Sequence, residues 1–105
     1  MYRATTPIHT FSLPISTDDC KDIQVTYKQG KNVILEKYMD DRVLPSGMTL
    51  HDKDVVVTLT QEETKLFGAK KATVQIRILT DGGTASASDI FDITVKDVLH
   101  DNELT

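Results

Sequence analysis

At 105 residues the chain has the size of one domain, large enough for a single apolar core to fold without metals or disulfides. Hydrophobic residues make up 39% and charged residues 27%, a globular balance that excludes extended disorder. A formal charge of −4, with 16 acids against 12 bases, weighs against a nucleic-acid partner, because phosphate binding needs clustered Lys and Arg. Cys20, the one cysteine, forbids an intrachain disulfide and leaves no thiolate set for a metal, so a reducing compartment is expected. Met1-Tyr2-Arg3 leads into no apolar signal core, and no run approaches the ~18 apolar residues of a membrane span, so neither standard secretion nor a membrane partner is expected.

In chain order, the first element is a strand within Pro7–Ile15, with His9, Phe11, Leu13 and Ile15 on one parity. Pro7 and Pro14 bracket it, and since proline donates no ladder hydrogen bond, the strand is expected at a sheet edge or in short pairings only. Ser16–Asp22 is polar and reads as a connection. Ile23, Val25 and Tyr27 then define a strand that turns through Gln29-Gly30-Lys31-Asn32 and returns along Val33–Tyr38. Asp40–Gly47 is the most loop-like stretch, and Met48–Leu50 with Asp54–Leu59 forms a second hairpin about His51-Asp52-Lys53. In its second arm Val55, Val57 and Leu59 share one face.

Thr60-Gln61-Glu62-Glu63 has the form of a capping box, in which the Thr60 oxygen accepts from the Glu63 backbone and the Glu63 carboxylate reaches back to the Thr60 N–H. It opens a helix of two turns at most, anchored by Leu66 and Phe67 and ended by Gly68, that carries the chain from one sheet to another. Val74, Ile76 and Ile78 alternate with Thr73, Gln75 and Arg77 in the next strand. Asp81-Gly82-Gly83 turns it into Thr84–Lys96, where Phe91, Ile93 and Val95 alternate. The parity of Ala85 and Ala87 conflicts with that of Phe91, and either a bulge near Ser88-Asp89 or an edge position resolves it. About seven short strands, one short helix and regular turn signals predict an all-β protein, an antiparallel β-sandwich in one domain spanning residues 1–105, with a small β-barrel as the alternative. Val57, Val74, Ile76, Phe91 and Ile93 are expected to share one core.

Few residues offer chemistry. His9, His51 and His100 lack ligand-spaced partners, and His9 lies on the apolar parity of its strand, as a core or rim histidine does. Asp18-Asp19 and Asp40-Asp41 lack the spacing of a calcium loop. Glu62-Glu63 is explained by capping and the helix dipole. Acids around Cys20 oppose thiolate formation. No nucleophile elbow, phosphate loop or dinucleotide fingerprint is present. The reading is therefore of a protein that is not an enzyme, with no catalytic residue, metal site, cofactor or small-molecule substrate.

Thr5-Thr6-Pro7-Ile8-His9-Thr10-Phe11-Ser12-Leu13-Pro14, Leu59-Thr60-Gln61-Glu62-Glu63-Thr64 before Phe67, Val74-Gln75-Ile76-Arg77-Ile78, and Ser88 followed by Phe91-Asp92-Ile93-Thr94-Val95 together resemble small proteins encoded in phages and prophages of Gram-positive bacteria. The order of these segments is also similar to the immunoglobulin-like N-terminal domain of siphophage upper-baseplate proteins. The resemblance implies a non-enzymatic structural or assembly module of the virion, made in the host cytoplasm and carried into the particle, whose partners are other virion proteins or a homo-oligomer. A phage-encoded cytoplasmic regulator that binds a host protein is the alternative. A hydrolase or carbohydrate-binding module is disfavoured, since the chain has no Trp and only 6% aromatic residues to build a sugar platform. The candidate interaction edge is Thr84, Ala85, Ser86, Ala87 and Ser88, which are small and uncharged where other edges carry proline or charge.

Overall fold

A computed structural model describes residues 1–2, 4–87 and 90–96. The strands are β1 (Ile8–Ser12), β2 (Cys20–Gln29), β3 (Asn32–Met39), β4 (Met48–His51), β5 (Asp54–Thr58), β6 (Lys71–Thr80), β7 (Ala85–Ala87) and β8 (Phe91–Thr94), with one short helix, α1 (Gln61–Lys65). They form two antiparallel sheets. The smaller has the order β1-β5-β4; the larger runs β3-β2-β6-β7, with β8 also paired to β6. The expected sandwich is what forms. No ladder joins the two sheets among the described residues, so the barrel alternative does not apply.

Alternation explains which face each strand buries. Ile23, Val25 and Tyr27 of β2, Val55 and Val57 of β5, and Val74 and Ile76 of β6 have no exposed surface, and they meet between the sheets with Leu59 and Phe67. The intervening residues Gln24, Thr26, Gln75 and Arg77 stand on the outward face of the large sheet, where the register sets Gln24 opposite Arg77 and Thr26 opposite Gln75. Phe91 and Ile93 join the same core but are only partly buried. The reason is positional: β8 lies at the sheet margin, where the sandwich is covered from one side.

Several boundaries differ from the sequence expectation. Residues 16–22 are not simply a connection, because Thr17–Asp19 forms a 3-10 turn and the strand already begins at Cys20. Ser16 caps that turn, and the Thr17 N–H and hydroxyl both donate to the Asp52 carbonyl, at 2.8 and 2.7 Å, so the segment is pinned to the β4–β5 turn. Strand 54–58 is the central strand of the small sheet. Asp54 accepts from the Ser12 hydroxyl at 2.7 Å, and so links β5 to β1. Loop 40–47 folds back with Asp41 and Arg42 at positive φ. Gly47 also has positive φ (+82°), and a Cβ there would stand 2.5 Å from the Thr58 carbonyl oxygen, so the close approach of loop to β5 requires glycine.

The capping box forms as read from the sequence. The Glu63 N–H donates to the Thr60 hydroxyl at 3.1 Å, and the Thr60 N–H donates to a Glu63 carboxylate oxygen at 2.9 Å. Phe67 is buried, but Leu66 is 58% exposed and is not the second anchor. Consecutive helical side chains diverge by ~100°, so in so short an element only one of the two can face the core. The helix does carry the chain from β5 in the small sheet to β6 in the large one.

Residues 84–96 are not one continuous strand. Arg77 faces Ala87, whereas Val74 faces Phe91, so two residues of β6 (75 and 76) are spanned by three in the other chain segment (88–90). The registers on the two sides therefore differ by one residue, while the bulge expected near Ser88-Asp89 itself lies outside the described residues. That difference resolves the parity conflict. Ser86 shares the inward face with Ile78 and Phe91 shares it with Val74, while Ala85 and Ala87 point outward beside Leu79 and Arg77.

Candidate interaction edge

Strand β7 is the last strand of the large sheet beside β6, and all three of its residues are exposed. The β6–β7 turn fixes which backbone groups are free. Thr80 N–H donates to the Thr84 carbonyl at 2.9 Å, so Thr80 and Thr84 are a hydrogen-bonded pair. Such pairs recur every second residue in an antiparallel ladder, which makes Ile78 and Ser86 the next one. Ala85 and Ala87 fall between, with their N–H and C=O groups directed away from β6. Gly83, at φ +86°, donates its N–H to the Thr80 carbonyl at 2.9 Å and closes the turn.

The margins at β1, β3 and β8 are obstructed. Pro7 and Pro14 flank β1, and β3 carries Glu36 and an extra residue, Ile34, opposite the Tyr27–Lys28 step. The end of β8 is covered by the start of the chain: the Met1 amino group donates to the Thr94 carbonyl and Lys96 N–H donates to the Met1 carbonyl, at 2.7 and 2.8 Å. Of the five residues singled out from the sequence, Ala85, Ser86 and Ala87 thus form an open edge strand. Thr84 lies in the turn, where its N–H donates to the Thr80 hydroxyl at 3.1 Å, and Ser88 lies outside the described residues.

Beside this edge the outward face holds a groove of about 460 Å³, floored by Gln24 and Arg77 and walled by Tyr38 and Asp22 on one side and Ala85 and Ala87 on the other. Asp22 accepts from the Asp41 N–H at 2.8 Å and from the Tyr38 hydroxyl at 3.4 Å, so its carboxylate is held. The Arg77 guanidinium has no ion pair among the described residues. On the inward side a slot of about 30 Å³ opens between Leu13 and Pro14 and the Ile78–Ser86 pair. Strand parity placed Arg77 on an outward face, but its closeness to Tyr38 and Asp22 depends on pairing between strands far apart in sequence.

The titratable residues considered for chemistry are engaged in structure. His9 points inward from β1, its Nδ1 2.8 Å from the Tyr27 hydroxyl, and burial holds its pKa below the usual 6.5. Burial, reinforced by the charge of Glu63, raises the Tyr27 hydroxyl. Cys20 is fully buried, and burial followed by the charges of Asp19 and Asp81 pushes its thiol up, away from the nucleophilic form. Asp18 and Asp81 are bridged by Arg42, whose guanidinium donates to the Asp18 carbonyl and the Asp81 carboxylate, both at 2.6 Å. His51 is exposed, 3.4 Å from the Asp52 carboxylate, and His100 lies outside the described residues. Among the described residues no three His, Cys, Asp or Glu side chains converge as metal ligands would, and no helix is long and apolar enough to cross a membrane.

The sequence had hidden one polar linkage. Lys37, nearly buried on β3, places Nζ 2.6 Å from the Glu63 carboxylate and donates to the Ser46 carbonyl at 3.1 Å. It ties the helix cap to β3 and to the 40–47 loop. Burial acts to raise the Glu63 pKa, but the hydrogen bonds from Lys37 and Thr60 together with the Lys37 charge outweigh it and bring the group below its usual value. Comparison of the chain with protein-family models, with curated proteins and with solved structures finds no match.

Proposed function

We propose that the chain is a non-enzymatic structural or assembly module of a phage particle, which docks through the β7 edge onto another virion protein or onto a second copy of itself. The observation that carries this reading is the pair of outward-directed backbone units at Ala85 and Ala87, flanked only by small uncharged side chains, on a sandwich whose β1, β3 and β8 margins are obstructed. Adding a strand to such an edge gives affinity through main-chain hydrogen bonds, and the neighbouring groove gives selectivity through side chains. The phage setting rests on the resemblance of the sequence segments quoted above. Mass spectrometry of particles induced from a prophage-bearing Gram-positive host tests it. The chain is expected in stoichiometric amounts in purified particles; its confinement to the lysate would support instead a cytoplasmic regulator that binds a host protein.

A further inference from the structure

We propose that the open edge is closed by the same edge of a second copy, β7 pairing antiparallel with β7 about a two-fold axis at Ser86. The inference rests on the docking role above and names its occupant. With the axis at Ser86, Ala85 of one copy faces Ala87 of the other, and the reverse. These are the residues whose N–H and C=O groups point away from β6. Each copy brings two donors and two acceptors, and pairing satisfies all of them in four hydrogen bonds. An axis at Ala85 would set Ala87 against Gly83, whose N–H is already given to the Thr80 carbonyl.

The side chains fit the same register. On the outward face Ala85 meets Ala87, methyl against methyl. On the inward face Ser86 meets Ser86, and both hydroxyls are small enough to let the backbones reach ladder distance. No charge lies on residues 84–87, so no like charges are opposed across the axis. The large sheet then runs β3-β2-β6-β7 and continues as β7-β6-β2-β3 of the second copy, and the two grooves beside Arg77 become halves of one outward face. A self-complementary contact of this kind is what a two-fold interface requires.

Three residues per copy bury far less than the ~1,200 Å² of a stable interface, so the contact is weak between free molecules. It gains strength where copies are held close together on a larger assembly. Sedimentation equilibrium of the unmodified protein tests it directly. The average mass is expected to rise from the 11.7 kDa monomer toward twice that value as concentration approaches about 1 mM. Ser86→Cys places two thiols at a facing pair with Cα atoms ~4.5 Å apart, inside disulfide reach, and should oxidise to a covalent dimer roughly tenfold faster than Thr10→Cys on the exposed side of β1. Cys20 is buried and stays out of the reaction. Ala87→Pro removes one outward donor and should sediment as a folded monomer throughout. A monomer at about 1 mM, or equal oxidation rates for the two cysteine variants, overturns self-pairing. If Ala87→Pro fails to fold, the two cysteine rates decide alone. Failure here leaves the docking role standing, since particle composition tests that separately.

Discussion

The interior carries polar side chains whose protonation is coupled to folding, with His9 the clearest. Its imidazole is pressed between sheets, 2.8 Å from the Tyr27 hydroxyl, with a pKa depressed by burial. The unfolded chain binds a proton near pH 6.5 and the folded chain only at lower pH, so the stability that neutral His9 contributes is complete above about 6.5 and is lost as pH falls toward the depressed value. Glu63 has the same sign at lower pH: its contribution is complete above about 4.5 and lost on further acidification. Urea midpoints measured against pH should therefore fall in two stages, and His9→Phe should flatten the upper stage while sparing the lower. An unchanged upper stage in that variant would place the titration elsewhere. Ile76 gives a purely apolar counterpart. It has no exposed surface, and Ile76→Ala should cost ~2–5 kcal/mol in urea melts; a loss under ~0.5 kcal/mol would contradict its place in the core.

The short helix shows how far local sequence signals reach. Thr60 and Glu63 are three residues apart and their reciprocal bonds could be read from spacing alone, so Thr60→Ala should destabilise by ~0.5–2 kcal/mol. What spacing could not show is that Lys37 holds the same carboxylate at 2.6 Å. The two substitutions therefore share a partner, and a double-mutant cycle of Thr60→Ala with Lys37→Met should show coupling of ~0.5 kcal/mol or more; strict additivity would mean that the Lys37 contact does not support the cap. The strands divide in the same way. The faces of β5 and β6 were legible because period two is a property of each strand by itself. The central place of β5, the β8 break and the exposure of Leu66 were not, because each depends on what packs alongside. For the candidate edge, composition singled out residues 84–88, but only the Thr80–Thr84 pairing shows that Ala85 and Ala87, and not Ser86, present the free backbone groups.

For the whole molecule, the consequence of this architecture is asymmetry between margins. Proline, a bulge with charge, and the chain start obstruct β1, β3 and β8, whereas β7 is bare. A bare edge as short as β7 limits unspecific pairing and gives any association through it a direction. The claim that the edge is open in the free protein and closed on docking is tested most directly by residue-resolved amide exchange in dilute solution and again in the assembled state. The Ser86 amide is expected to be protected in both, with Ala85 and Ala87 exchanging rapidly when dilute and slowing on assembly. Protection of Ala87 in the dilute protein, or rapid exchange of Ala85 and Ala87 that persists in the assembly, would contradict it.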